Sequence, residues 1–151
     1  MIYSSIGYYS LIFGLCASLP IFFFAIKNFK NDGILDSKII GFSFIQLILV
    51  VVSFLGLIIS FVISDFSNET VYNNSHTTKP LFYKISGTWG NHEGSLLLWL
   101  LVLSLFIFIC LLKKKKLLKN YRILTVLFQQ VIIIGFFIFL LDSSNPFNHV
   151  F

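Results

Sequence analysis

Charged residues are scarce in this chain, and none of them lies in its longest hydrophobic stretches. Only 11% of the 151 residues are charged, whereas 57% are hydrophobic. Soluble domains carry about 25% charged residues, so this composition excludes an ordinary soluble domain and favours a membrane protein. The hydrophobic stretches contain no acidic residue, which counts against a membrane subunit of a transporter or respiratory complex. We keep that role as an alternative function.

Motifs for redox, metal and catalytic chemistry are missing as well. Cys16 and Cys110 form no C-x-x-C or C-x-x-C-H pattern, which argues against a thiol redox pair and against covalent haem attachment. His92 and Glu93 are followed by Gly-Ser-Leu, which rules out the H-E-x-x-H zinc motif. We therefore predict neither metal ligands nor catalytic residues. The N-terminus lacks a basic region and a cleavage site, so we expect no secretory signal peptide.

Four stretches approach or exceed the roughly 20 apolar residues needed to cross a bilayer. They cover about residues 6–26, 39–63, 96–112 and 123–141. We predict an all-α integral membrane protein with about four transmembrane helices, forming a single membrane domain over residues 1–151.

Basic residues predict how these helices are oriented. Lys113–Lys116, Lys119 and Arg122 supply more than half of the positive charges, all within one short connection. Such a cluster marks the side from which a chain is inserted rather than a nucleic-acid site. Both termini and the loop of residues 64–95 are therefore predicted on the opposite, outer side, which is the periplasm or the intermembrane space.

The outer loop divides into two parts. Residues 65–78 are hydrophilic without periodicity and predict a flexible linker. Residues 79–87 are more apolar and suit a segment on the membrane surface. Asn68 and Asn73 begin N-glycosylation sequons, so a glycosylated protein of the secretory pathway is a third hypothesis.

Polar side chains within the predicted spans are few. Gln46, Gln129 and Gln130 are amides in otherwise apolar stretches. Intramembrane amides usually bond to neighbouring helices, so we predict a packing role for them.

The segment TWGNHEGS, residues 88–95, stands where the third span enters the membrane. Asn91 or Thr88 is predicted to cap the helix, with Glu93 in the first turn and Trp89 at the membrane interface. The glycines permit tight turns or the close approach of a flat ligand or another backbone. A cap alone does not require His92 beside Glu93. From its chemistry, His92 suits a hydrogen-bond partner, a proton carrier or an axial iron ligand.

Two segments resemble a known family. TWGNHEGSLLLW resembles the W-G-x-H-E-G-S-x-L-L-W segment of CcmF, the haem lyase subunit of the multi-subunit cytochrome c maturation machinery, and FIFLLDSSNPF resembles that family's T-S-N-P-F segment. The resemblance implies a recognition site for haem or a partner at Trp89, Gly90, Asn91, His92, Glu93, Gly94, Ser95 and Trp99, with a second family motif at Asn145, Pro146 and Phe147. Family members are several times longer, and their tryptophan-rich segment and haem-ligating histidines come later in the chain. His149 has no counterpart, and we expect it in a frayed, solvated tail.

The resemblance implies the N-terminal subunit of a split haem lyase, which supports covalent attachment of haem to apocytochrome c. Haem would then be handled by the complex and not ligated by this chain alone. The implied partners are the other lyase subunits, a haem chaperone, apocytochrome c and membrane lipid. The implied location is the mitochondrial inner membrane, or the plasma membrane of a bacterium.

Overall fold

Six helices make up the fold in the residues that the computed structural model describes, which are 2–30, 37–112 and 119–150. They are α1 (Ile2–Lys30), α2 (Ser37–Val62), α3 (Glu69–Asn74), α4 (Leu81–Gly87), α5 (His92–Leu112) and α6 (Lys119–Asp142). The four long helices form a ring in which α1 packs against α2, α2 against α5, α5 against α6, and α6 against α1. The short helix α4 packs against α2.

The long helices are apolar on all sides rather than along one stripe. Four helices of the described chain are long and apolar enough to cross a membrane: Ile2–Phe29, Ser37–Val62, His92–Leu112 and Tyr121–Asp142. Large apolar side chains such as Phe23, Trp99 and Phe128 point outward, which is favourable only where lipid or another apolar surface replaces water. The chain is therefore a multi-pass membrane protein, and the predicted fold class is confirmed.

The start of α1, the connection between α2 and α5, and the residues after α6 meet at one end of the bundle, which we call the loop end. Asn68 Nδ2 donates to Ser4 Oγ (3.0 Å) and to the Pro146 carbonyl (2.9 Å). The basic residues Lys113–Lys116, from which we predict the side of the membrane, lie outside the described residues, as do the side chains of Lys30 and Lys119. The outer location of the loop end thus stays a prediction.

The first part of the connection is folded, so the prediction of a flexible linker over residues 65–78 is wrong. Helix α3 is capped by Asn68, whose Oδ1 accepts from the Val71 N–H at 3.1 Å, and both residues are fully buried. Before it, Asp65 accepts hydrogen bonds from Ser67 Oγ (2.5 Å) and Ser67 N–H (3.3 Å). Partial burial acts to raise the pKa of Asp65, but the hydrogen bonds outweigh it and the pKa is lowered.

Buried amides join the four membrane helices. Gln130 Nε2 on α6 donates to Gln46 Oε1 on α2 (3.2 Å) and to the Ser18 carbonyl on α1 (3.1 Å). Gln46 Nε2 lies 3.4 Å from Ser104 Oγ on α5, and Gln129 Nε2 donates to the Leu103 carbonyl at 2.8 Å. The packing role predicted for these amides is confirmed.

Replacing Gln130 with leucine is expected to loosen the bundle modestly. The change removes the Gln130 Nε2 donor, so the Ser18 carbonyl on α1 and Gln46 Oε1 on α2 each lose this hydrogen bond. Hydrogen bonds between membrane helices average about 0.6 kcal/mol and reach about 1.7 kcal/mol, so we expect a loss of about 1–2 kcal/mol. Unfolding in mixed SDS micelles measures it. A Gln46→Leu, Gln130→Leu double-mutant cycle should be clearly non-additive, and additive losses would contradict a direct bond between the two amides.

Candidate functional site at the loop end

The segment of residues 88–95, which we call the entry block, starts α5 through an asparagine cap. Asn91 Oδ1 accepts from the Gly94 N–H at 2.7 Å, and Asn91 Nδ2 donates to the Gly87 carbonyl at 2.9 Å. Asn91 therefore caps α5 and also holds the end of α4. Between the two alternatives, the cap is Asn91 and not Thr88, whose buried hydroxyl has no partner within the described structure. Ser95 Oγ donates a hydrogen bond to the His92 carbonyl oxygen at 2.8 Å.

Gly94 allows two backbone segments of the entry block to touch. A Cβ atom at this position would overlap the Thr88 carbonyl group. Gly94 and Thr88 are both buried, and the carbonyl is fixed by the turn that α4 and Asn91 define. The sequence predicted that the glycines serve turns or close approach, and at Gly94 the neighbour is the chain's own backbone.

His92 connects the entry block to residues 143–150, which we call the tail. Its Nδ1 lies 3.0 Å from Ser144 Oγ. Its ring meets Phe139 of α6 edge-on, with ring centroids 6.4 Å apart. The His92 side chain is nevertheless exposed. One ring edge is thus used for positioning while the rest of the imidazole stays open to a ligand or partner.

The Asn-Pro-Phe motif fixes the tail. Asn145 Oδ1 accepts from the Phe147 N–H at 3.0 Å, which forms a tight turn around Pro146. Phe147 is 2% exposed, and its ring lies directly over Gly7 of α1, where a Cβ atom would overlap it. The motif thus anchors the tail to the first membrane helix.

Asn68 is a site residue that the sequence did not reveal. Its amide joins α1, α3 and the tail, because it bonds to Ser4 and Pro146 as well as capping α3. Full burial leaves no room for a glycan on this amide, so the sequon at Asn68 is not a glycosylation site in this fold. A polar cap residue followed by acidic Glu69 is a helix-start signal that could have indicated α3.

A polar cleft of about 200 Å³ opens between the entry block, α3 and the tail. Its lining consists of two carboxylates with amide and hydroxyl side chains: Glu69, Thr70, Asn73, Asn74, Glu93, Ser143, Ser144, Asn145 and Asn148. The carboxyl, amide and hydroxyl oxygens make the cleft rich in hydrogen-bond acceptors, so it suits cationic or N–H donor groups of a partner. Among the residues that the structure describes, none of those lining the cleft is basic.

The predicted site residues are only partly brought together. Glu93 lines the cleft and His92 meets Ser144 at its edge, whereas Trp89 and Gly90 are exposed on the turn before α5. Trp99 lies two helical turns into α5 with 60% of its surface exposed, so it faces the surroundings of the bundle. Within the described residues, no three His, Cys, Asp or Glu side chains are grouped as metal ligands.

The chain is similar in sequence to bacterial proteins of cytochrome c biogenesis. The chain is 44% identical over 99 residues to the cytochrome c-type biogenesis protein Ccl1 of Rhodobacter capsulatus, covering 66% of this chain and 15% of that protein. It is 36% identical over 146 residues to the cytochrome c-type biogenesis protein CycK of Rhizobium meliloti, covering 94% of this chain and 21% of that protein. No family model matches the chain.

A solved structure shares the fold. The cytochrome c haem lyase CcmF superposes with a TM-score of 0.86 at 24% sequence identity, over 98% of this chain and 25% of that chain. The cytochrome c-type biogenesis protein CcmF of Escherichia coli is 36% identical over 96 residues, which cover 64% of this chain and 15% of that protein. The chain thus spans between about a seventh and a quarter of the proteins it matches. It is homologous to the N-terminal part of the cytochrome c-type biogenesis proteins named CcmF, CycK and Ccl1.

Proposed function

We propose that the chain is the N-terminal part of a cytochrome c haem lyase, supplied as a separate subunit of a split enzyme. The observation that carries the proposal is the sequence identity to cytochrome c-type biogenesis proteins, which for CycK of Rhizobium meliloti extends over 94% of this chain. The whole complex would join haem to apocytochrome c, each of two cysteine thiols adding across one vinyl group. The thiol sulfur bonds to one vinyl carbon, and the other carbon takes a proton.

In that reaction, this chain acts as a scaffold for the other lyase subunits and recognises a partner. The four membrane helices form a scaffold, and the loop end presents the entry block, the cleft and the tail as one rigid surface. The exposed edge of His92 and the Glu93 carboxylate are the groups through which the chain contacts a haem chaperone, apocytochrome c or another lyase subunit. Haem itself is retained by the complex and not by this chain alone.

The charge distribution supports an outer location for the loop end, since the basic connection belongs on the side from which the chain is inserted. We place the chain in the mitochondrial inner membrane with the loop end in the intermembrane space. In a bacterium the equivalent location is the plasma membrane, with the loop end in the periplasm.

Alanine at His92 or Glu93 is expected to lower covalently bound haem in cytochrome c while the chain stays in the membrane. Each side chain offers hydrogen bonds, which contribute about 0.5–1.5 kcal/mol apiece, so docking should weaken about two- to tenfold. Haem staining of c-type cytochromes after gel electrophoresis measures the loss.

His76→Ala is the matched control, because His76 is exposed and lies outside the entry block and the cleft. It should leave cytochrome c unchanged. Normal cytochrome c levels in cells that lack the chain altogether would refute the proposed function. Normal cytochrome c levels in both His92→Ala and Glu93→Ala would show that the entry block has only a structural role.

A further inference from the structure

An apolar groove lies within the membrane spans and begins near the loop end. It has a volume of about 320 Å³ and opens between α5 and α6, and we call it the α5/α6 groove. It is lined by Leu96 on α5 and by Ile132, Gly135, Phe136 and Phe139 on α6. The four residues of α6 are spaced as i, i+3, i+4 and i+7, so they form one face of that helix.

The α5/α6 groove is continuous with the entry block. Phe139, which lines the groove, meets the His92 ring edge-on with ring centroids 6.4 Å apart. Along α5, His92, Leu96 and Trp99 are spaced as i, i+4 and i+7, which places them on one face of the helix. Trp99 has 60% of its surface exposed. His92 and Trp99, both predicted as recognition residues, thus belong to the same surface as the groove.

The tail, which meets the entry block at the loop end of the groove, is ordered. The Glu69 N–H donates to the Asn148 carbonyl at 2.8 Å, and the Val150 N–H donates to the Ser67 carbonyl at 3.1 Å. These bonds lie on either side of His149, so the prediction of a frayed tail is wrong, although the His149 side chain is exposed as expected. An ordered surface loses little conformational entropy when a partner binds.

The α5 and α6 spans are the least covered of the four. In their most apolar parts, 28% and 33% of the residues are buried within the bundle, against 50% for α2. A Cβ atom at Gly135 would meet no atom of the described structure within 4 Å. Membrane helices associate where small residues let two backbones approach closely. The groove therefore has room for a further helix, which the described part of this chain does not supply.

We propose that a transmembrane helix of another lyase subunit packs into the α5/α6 groove and meets His92 at its loop end. Among the partners named for His92 under the proposed function, on which this inference rests, the groove selects the lyase subunit. A partner dissolved in water cannot fill an apolar groove within the membrane spans, whereas a helix satisfies its own backbone hydrogen bonds there. Lipid chains fit such a groove but offer no hydrogen-bond partner to the exposed edge of His92.

The source of that helix follows from the comparison with the solved haem lyase. This chain matches 25% of the chain of that protein, so most of the homologous enzyme has no counterpart here. In a split enzyme the remainder belongs to other subunits, which must associate with this chain in the membrane for the complex to act. The occupant is therefore the subunit that carries this remainder, rather than a second copy of the chain.

Replacing Gly135 with leucine in the complete complex tests the proposal. Leucine fills the groove, and co-purification of the complementary lyase subunit should fall at least about tenfold, because overpacking a close helix contact costs more than a tenfold change requires. Covalently bound haem in cytochrome c should fall as well. Gly41→Leu on α2 is the matched control, because a Cβ there also meets nothing within 4 Å. Both variants should unfold alike in mixed SDS micelles, and Gly41→Leu should keep the partner.

A photo-crosslinking benzophenone amino acid at Ile132, which is 50% exposed in the groove, identifies the occupant. We expect an adduct with the lyase subunit that carries the part of the homologous enzymes missing from this chain. The same probe at Ile45 of α2, which is 49% exposed, should give no such adduct. Gly135 is unaltered in this experiment, so the result is decisive even where Gly135→Leu fails to fold.

Three outcomes would overturn the proposal: adducts at Ile132 with lipid alone, an adduct with a second copy of the chain, or unchanged co-purification in Gly135→Leu. Failure of the proposal is distinct from failure of the proposed function, which is judged by cytochrome c levels in cells that lack the chain.

Discussion

Replacing Gly94 with alanine is expected to disrupt the entry block and to abolish its contribution to cytochrome c maturation. The new methyl group would overlap the Thr88 carbonyl group, which is backbone and cannot rotate away as a flexible side chain does. Either the turn of residues 88–91 or the first turn of α5 must shift. A shift there breaks the bond from the Gly94 N–H to Asn91 and moves His92 away from Ser144.

The expected cost of Gly94→Ala is about 3 kcal/mol, at the upper end of the usual range for overpacking, because the clash is with backbone. Unfolding in mixed SDS micelles measures the stability, and haem staining of c-type cytochromes measures the function. Gly41→Ala is the matched control, because a Cβ at Gly41 of α2 meets nothing within 4 Å. Equal stability of Gly94→Ala and Gly41→Ala would contradict the close approach.

Replacing Asn68 with alanine should release the tail from α1 and α3. The substitution removes three hydrogen bonds of a fully buried side chain, two of which it donates and one of which it accepts. Loss of a helix cap costs about 1 kcal/mol, and the Pro146 carbonyl left without this donor adds about 1–3 kcal/mol. We expect a total of about 2–4 kcal/mol, with faster proteolysis of the tail than of the bundle.

Asn68→Asp separates the two roles of this side chain. Aspartate still caps α3 but cannot donate to Ser4 or Pro146, so tail release should persist while α3 remains capped. Asn73→Ala, at an exposed position of the same helix, should leave both stability and proteolysis unchanged. A tail that resists protease in Asn68→Ala would show that Phe147 and Gly7 hold it without Asn68.

Local signals in the sequence were sufficient for the membrane helices, and they narrowed the cap of α5 to Asn91 or Thr88. Each span is marked by its length and hydrophobicity. The cap of α5 is equally local, because Asn91 directly precedes the helix and bonds to the N–H of Gly94, three residues later. The burial of Gln46 and Gln130 followed from the same reasoning, since an amide in lipid must find a partner on another helix.

The same signals failed for the segment that contains α3. Its polar, aperiodic composition suggested a linker, because a helix of six residues is too short to show a hydrophobic period. What stabilises α3 is tertiary packing: Val71 is fully buried, and Asn68 bonds to α1 and the tail. The tail was misjudged for the same reason, since its order depends on backbone bonds to Ser67 and Glu69.

The sequence by itself determined that this chain crosses a membrane with four apolar helices, and that TWGNHEGS begins the third of them. Only the tertiary structure decided that His92 meets Ser144, that Asn68 meets Pro146, and that His149 meets Ser67. These pairs are separated by 52, 78 and 82 residues along the chain. Hydrophobic runs and caps act between neighbours in sequence, whereas these contacts exist because the packing of four membrane helices brings the start of α1, the connection before α5 and the tail to one end.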